Sequence, residues 1–137
     1  MSATARQTGG APEGTAAGKY QRKRAEVHGA SLRRALKAGV KIAYGTDVGG
    51  FSWKTPMAQE FPRLVEFGMT PMQAIQAATS RAAELLGMSG QVGVIAPGAH
   101  ADVIAVQGDP LQDVRVLERV SFVMKDGTVF RSTQPSP

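Results

Sequence analysis

Apolar side chains recur at two different spacings along this chain, and the change between them separates the first predicted elements. From about Lys23 to Ala38 they recur at helical spacing and form one stripe, which predicts a helix that ends at Gly39. From Val40 to Tyr44 they alternate with other residues at the period of two that is typical of a strand. The pattern therefore predicts a helix, a glycine stop and a short strand.

Downstream of this strand the spacing is helical again. Thr55-Pro56 predicts an N-cap followed by the first helical position, and Pro62 predicts a kink or a late start of that helix. Thr70-Pro71-Met72-Gln73 reads as a capping box, and Ser80 to Leu86 as a further short helix. Glycines close these helical stretches, at Gly68 and Gly87.

From Gln91 onward the pattern changes to short apolar runs separated by turn residues. The run from Asp102 to Val106 predicts a buried strand. Two further runs, Val120 to Lys125 and Thr128 to Arg131, flank Asp126-Gly127, which is a strong signal for a two-residue hairpin.

Asp47 is the first candidate for chemistry. It follows the predicted Val40 to Tyr44 strand, and the neighbouring glycines, Gly45 and the Gly49-Gly50 pair, allow a sharp turn close to a ligand. In parallel α/β barrels, catalytic groups collect at this end of the strands. The alternative is an Asp that only satisfies backbone N–H groups in a turn.

Four spaced blocks resemble the C-terminal third of the amidohydrolase superfamily, in the branch of imidazolonepropionase-like and prolidase-like enzymes. They are Gly45–Gly49, Gly68–Thr79, Gly93–Ile104 and Val123–Gly127, and the match runs from about Ser31 to Phe130. The resemblance implies an α/β fold: the terminal strand and helices of a (β/α)8 metal-dependent hydrolase barrel, followed by C-terminal strands of the accompanying β-sandwich.

The resemblance also implies an incomplete domain, because a (β/α)8 barrel typically takes about 250 residues and this chain has 137. We expect a fragment, a truncated reading frame or one part of a split protein. Residues 19–90 would hold the last barrel strand and its flanking helices, and residues 91–131 the sandwich strands. Residues 1–18, which are poor in large apolar side chains, and residues 132–137 are predicted to be a disordered leader and tail.

Enzymes of this superfamily use one or two divalent metals, commonly zinc, to activate a water. By resemblance, Asp47 contacts the metal, takes a proton from the attacking water and passes it to the leaving nitrogen. The family's histidine ligands have no counterpart here, and a catalytic metal needs about three protein ligands. The sequence therefore predicts that this chain alone binds no metal and is inactive. His28 and His100 are given surface or structural roles, and Asp102 is expected to accept backbone hydrogen bonds at a turn.

Phe51 and Trp53 are the large aromatic side chains of the loop after Asp47. They either line a substrate pocket or hold the loop against the core, and both interpretations stay open. Many relatives carry a His-Gly element in this loop, whereas this chain reads Phe51-Ser52-Trp53. That departure leaves the substrate open.

Two functions follow. The chain is the C-terminal part of a metal-dependent amidohydrolase that hydrolyses amide or cyclic amide carbon–nitrogen bonds by metal-activated water, with a small amide or dipeptide as substrate. Alternatively, it is a truncated, non-catalytic fragment that acts as an oligomerising or interaction module. The expected partners are a second copy of the chain or a complementing N-terminal chain.

Charge and composition narrow the remaining classes. The net charge of +5 is concentrated in residues 1–41, yet the cluster around Tyr20 lacks further stacking aromatics, so we expect a solvated helix entry and no nucleic-acid partner. The chain has no cysteine and no apolar run long enough to cross a bilayer. A cytoplasmic protein without a membrane partner is the expectation.

Overall fold

The computed structural model describes residue 12, residues 14–47 and residues 57–133 of the chain. Within these residues, a helical region is followed by a three-stranded sheet. The helices are α1 (Ala16–Lys37), α2 (Glu60–Glu66), α3 (Pro71–Ala78) and α4 (Ser80–Leu85), and the strands are β1 (Val103–Val106), β2 (Val120–Lys125) and β3 (Thr128–Ser132). Two 3-10 helices, Met57–Gln59 and Val114–Glu118, precede α2 and β2.

Helix α1 begins earlier than the sequence predicts. Its N-cap is Thr15, whose hydroxyl accepts a hydrogen bond from the Gly18 N–H at 3.1 Å and so satisfies one of the unpaired donors of the first turn. The predicted start near Lys23 is therefore wrong, and residues 16–18 are helical and not part of a disordered leader. Leu32 and Leu36 of the predicted apolar stripe pack against the core, whereas Val27 is exposed.

The predicted glycine stops are confirmed. Gly39 has a φ of 71°, and the N–H groups of Gly39 and Val40 donate to the carbonyls of Leu36 and Ala35. This pair of hydrogen bonds is a Schellman motif, which satisfies carbonyls at a helix end and needs a residue with positive φ. The same pattern follows α2 at Gly68 and α4 at Gly87.

Residues 40–47, called the extended segment because exposed and partly buried side chains alternate along it, do not form the predicted strand. Within the described residues no strand pairs with it, and the sheet contains only β1, β2 and β3. A strand assignment requires a hydrogen-bonded neighbouring strand. Here the segment is bonded to helices instead, through the Val40 N–H to the Ala35 carbonyl of α1 and the Tyr44 N–H to the Ala77 carbonyl of α3 (2.8 Å). The alternation predicted from the sequence persists, because Ile42, Tyr44 and Thr46 are partly buried between exposed neighbours.

The core of the helical region lies where α2 and α3 meet this segment. Its buried members are Leu64, Met69, Ala74 and Ala77, and Leu32, Leu36, Ile42, Tyr44, Phe61 and Val65 pack against them. Helix α2 starts late, as predicted, with Pro62 in the first turn, where its missing N–H costs nothing. The capping box of α3 is also confirmed: Thr70 and Gln73 exchange side-chain to backbone hydrogen bonds of 3.1 and 2.8 Å.

The sheet is antiparallel, in the order β1-β2-β3. Asp126 and Gly127, with φ of 46° and 77°, form the predicted two-residue hairpin turn between β2 and β3. Between α4 and β1 the described chain runs through turns. Strand β3 includes Ser132, so the disordered tail predicted from residue 132 is corrected there. No helix in the described part of the chain is both long and apolar enough to span a membrane.

Candidate functional site

Asp47 ends the extended segment on its exposed side, which is called the open face below. Side chains at positions 42, 44 and 46 are partly buried, whereas those at 41, 43, 45 and 47 are exposed. Asp47 also has a φ of 48°, in the left-handed region that costs most L-residues roughly 1–2 kcal/mol. The structure thus places this carboxylate at an open face, in a strained backbone conformation.

No hydrogen bond or ion pair joins Asp47 to another residue among those the structure describes. Among the same residues, no three His, Cys, Asp or Glu side chains lie close enough together to hold a metal ion. A catalytic metal needs about three protein ligands, so residues 14–47 and 57–133 do not make a complete metal site. Asp47 fits the role of a single oxygen ligand, and the remaining ligands would have to come from elsewhere.

Tyr44 connects the segment to the helices around it. In addition to its backbone bond with Ala77, its hydroxyl donates to the carbonyl of Met57 at 3.0 Å. Its ring meets that of Phe61 edge to face, with centroids 5.6 Å apart. Burial, with the nearby negative charge of Glu60, raises the pKa of Tyr44, so the hydroxyl remains a donor. Sequence reasoning assigned Tyr44 only to an apolar strand face; its hydroxyl was the one signal that it makes a polar contact.

The other candidates are two aromatic residues outside the described part of the chain and two histidines within it. Phe51 and Trp53 lie outside the described residues, so their assignment to a substrate pocket stays a prediction. His28 is exposed on α1, in agreement with the surface role expected for it. His100 belongs to the turn region before β1, where its Nδ1 lies 3.0 Å from the Asp126 carboxylate in the β2–β3 turn.

The charged residues around this hairpin have a structural arrangement. Asp102 accepts the Asp126 N–H at 2.8 Å and the Lys125 ammonium at 2.7 Å, which confirms the predicted acceptor role. Hydrogen bonds lower the pKa of Asp102, the larger effect coming from Lys125 and the smaller from the Asp126 N–H. The pKa of Asp126 is lowered as well, first by its hydrogen bond with His100 and then by the one with Lys125. These carboxylates fasten the hairpin to the preceding loop and contact Lys125, whereas Asp47 contacts no cation within the described residues.

A shallow depression of about 230 Å³ lies at the other end of the extended segment. It is bordered by Leu36 at the end of α1, by Val40 to Ile42, and by Gln76 of α3 and Arg81 of α4. Its polar side chains are amides and cations, without a carboxylate or an imidazole. This depression lacks the acid–base groups of a hydrolytic site, and Asp47 does not border it.

Comparison with known proteins identifies the class. Residues 15–130 match the model of the amidohydrolase family. The chain belongs to this family. Among curated relatives, the ochratoxinase of Aspergillus niger is 39% identical over 120 residues, which cover 82% of this chain and 24% of the relative. The imidazolonepropionase of Nocardia farcinica is 36% identical over 108 residues, which cover 74% and 27%.

Solved structures give the same result. A Xaa-Pro dipeptidase with methionine bound in its active site superimposes with a TM-score of 0.71 at 43% sequence identity, over 76% of this chain and 25% of that one. This chain therefore spans about a quarter of the length of its relatives. The predicted branch and fold class are confirmed: the described residues form a partial amidohydrolase domain of mixed helix and strand.

Proposed function

We propose that this chain is the C-terminal part of a metal-dependent hydrolase that cleaves carbon–nitrogen bonds in a small amide, cyclic amide or dipeptide. The observation that carries the proposal is the conformation of Asp47, an exposed carboxylate on the open face with a left-handed backbone. Such strain is typical of functional sites, where the surrounding structure holds a residue in a sparsely populated conformation. The names of the relatives support the reaction class, since they include a Xaa-Pro dipeptidase.

A divalent metal, with zinc as the expected ion, would supply a bound water of lowered pKa. Asp47 would hold it as one oxygen ligand, beside ligands outside the described residues or on another chain. The same carboxylate is suited to accept a proton and deliver it to the leaving nitrogen. Both tasks favour a carboxylate free of a competing cation. The hairpin carboxylates Asp102 and Asp126 do not meet that condition, because both contact Lys125.

A chimeric hydrolase tests the proposal directly. Residues 15–130 would replace the matching quarter of the Xaa-Pro dipeptidase, and hydrolysis of a Xaa-Pro dipeptide and bound zinc would be measured. We expect a folded, zinc-containing and active enzyme. Asp47→Asn, in which the amide still tolerates a left-handed backbone, should lower kcat by about 10³-fold.

Asp126→Asn is the matched control, because it changes the same residue type in the same backbone conformation at the hairpin. It should leave kcat within about a factor of two, the range expected of a surface change. A folded chimera that is inactive beside an active parent would contradict the proposed function. Equal activity of Asp47→Asn and the unmodified chimera would remove Asp47 from the mechanism and leave the reaction class intact.

One observation favours the second candidate, an oligomerising or interaction module without catalysis. Several large apolar side chains are strongly exposed in the described part of the chain, among them Leu85 (76%), Ile95 (88%) and Phe130 (71%). Contiguous exposed apolar surface marks association sites, and Leu85 is followed directly by the exposed Leu86 (69%). Sedimentation of the purified chain, with zinc measured after dialysis, separates the cases. We expect association without stoichiometric zinc, whereas one zinc per chain, lost in Asp47→Ala, would indicate a complete site shared between copies.

A further inference from the structure

Tyr44 is three residues before Asp47 and fixes this end of the extended segment to its surroundings. Its backbone, hydroxyl and ring each contact a different residue, and all three partners lie in the helical region: Ala77, Met57 and Phe61. Elsewhere in the segment, Ile42 packs against the core and Lys41 pairs with Glu84 of α4.

The backbone contact depends on a break in the helices behind the segment. The backbone of Thr79, with φ −124° and ψ −95°, leaves the helical region between α3 and α4. Carbonyls in the last turn of a helix have no partner within that helix. The Ala77 carbonyl is one of these, and it accepts the Tyr44 N–H at 2.8 Å. The α3–α4 break therefore supplies the acceptor that positions the segment.

The hydroxyl contact joins the two sides of the sequence that carries Asp47. Tyr44 precedes Asp47 in the sequence and Met57 follows it. The Tyr44 hydroxyl donates to the Met57 carbonyl at 3.0 Å. This bond is partly buried, which shields it from competing water. A phenylalanine would keep the ring contact with Phe61 and the backbone bond to Ala77, and would lose only the bond to Met57.

We propose that the Tyr44 hydroxyl is a positioning group for Asp47, holding the end of the extended segment to Met57 so that the carboxylate keeps one orientation on the open face. This inference rests on the proposed function in assigning a role to Asp47. It goes further in naming a residue that does not touch the substrate and in separating the hydroxyl of Tyr44 from its ring. Changing Tyr44 to phenylalanine should therefore loosen the orientation of Asp47 while the packing of the ring is retained.

The test is Tyr44→Phe in the full chain, with the backbone order parameter at Asp47 measured by ¹⁵N relaxation. We expect the order parameter to fall from about 0.85, typical of rigid backbone, to below about 0.6, while the values in α3 stay unchanged. The other tyrosine of the chain gives the matched control: Tyr20→Phe removes an exposed hydroxyl on α1 and should change neither region.

Ile42→Val distinguishes positioning from general packing. It trims a side chain of the same segment against the same core but leaves all three Tyr44 contacts, so the order parameter at Asp47 should stay at the wild-type value. An unchanged order parameter in Tyr44→Phe would overturn the inference, as would an equal fall in Ile42→Val.

The chimeric hydrolase adds a kinetic readout. There Tyr44→Phe should lower kcat about tenfold with KM unchanged, because orientation affects the reacting geometry more than substrate binding. An active chimera whose kcat is insensitive to Tyr44→Phe would contradict the inference. An inactive chimera would contradict the proposed function instead, and the order parameter would then decide the role of Tyr44.

Discussion

Asp47 and Asp126 share an unusual backbone conformation but differ in everything around it. They are the two non-glycine residues with positive φ in the described part of the chain, at 48° and 46°. Asp126 contacts His100 and Lys125 and donates its N–H to Asp102. Asp47 makes no such contact with a described residue. Within the described residues, the same backbone conformation is therefore accompanied by local contacts at Asp126 and not at Asp47.

The difference indicates two reasons for a left-handed aspartate. At the hairpin, a two-residue turn between twisted strands requires positive φ at both central positions, and Asp-Gly is a preferred pair. The conformation of Asp126 follows from the turn alone. At Asp47 the strain accompanies an exposed carboxylate on the open face, as expected where a side chain is oriented for a ligand.

The largest expected change in stability comes from replacing one glycine in each region, Gly93 beside the α3–α4 break and Gly127 in the hairpin turn. A Cβ on Gly93 would lie 2.6 Å from the backbone carbon and oxygen of Thr79, next to the break that provides the Ala77 carbonyl. A Cβ on Gly127 would meet nothing within 4 Å, although both glycines have positive φ. Gly93→Ala should lower the free energy of unfolding by about 3 kcal/mol, from strain plus overlap. Gly127→Ala, with strain alone, should lower it by about 1 kcal/mol.

Urea unfolding of both variants measures this difference. Equal losses would mean that the contact between Gly93 and Thr79 yields without cost, and that the support beneath the Asp47 segment is no more tightly packed than the hairpin. A larger loss for Gly127→Ala would reverse the comparison altogether.

Local signals in the sequence predicted the features that depend on a few adjacent residues. The glycine stops after α1, α2 and α4, the capping box at Thr70 and the Asp126-Gly127 turn are of this kind. The start of α1 was missed because Thr15 lies outside the apolar stripe. The predicted strand at Val40 to Tyr44 was wrong, although its alternation of exposed and partly buried positions was correct, because pairing depends on a neighbouring strand that no local pattern supplies. The contacts of Tyr44 with Ala77 and Met57 depend on tertiary packing and on the helix break at Thr79, so the sequence alone did not predict them.

The second way to sharpen the comparison is to relieve the strain at each aspartate. Asp47→Gly should stabilise the chain by about 0.5 kcal/mol, because glycine removes the left-handed penalty and the entropy it adds to the unfolded chain offsets part of that gain. Asp126→Gly should destabilise the chain, since it also removes the contacts with His100 and Lys125. Urea midpoints measure both changes.

Asp47→Ala is the matched control for the first variant, because it removes the carboxylate and retains the Cβ responsible for the strain. If Asp47→Ala and Asp47→Gly are equally stable, the backbone at position 47 is not strained in solution, and the contrast with Asp126 loses its basis.

The smallest expected effect is the pH dependence of the hairpin contacts. Hydrogen bonding from Lys125 and from the Asp126 N–H lowers the folded-state pKa of Asp102 below its ordinary value of 3.8. A lowered pKa contributes stability above the unfolded value, and that contribution is lost as the pH falls through the folded value. Asp102→Asn should therefore lower the urea midpoint at about pH 6 and have a smaller effect at about pH 2.5, where the wild-type carboxylate is increasingly protonated.

The same contact raises the pKa of Lys125 above 10.5, so its contribution is present below that value and declines as the pH rises through the folded value. Lys125→Met combined with Asp102→Asn should show coupling at pH 6 that fades at the lower pH. A coupling that is independent of pH would mean that these exposed charges do not fasten the hairpin, and that Asp126, like Asp47, keeps its conformation without help from its neighbours.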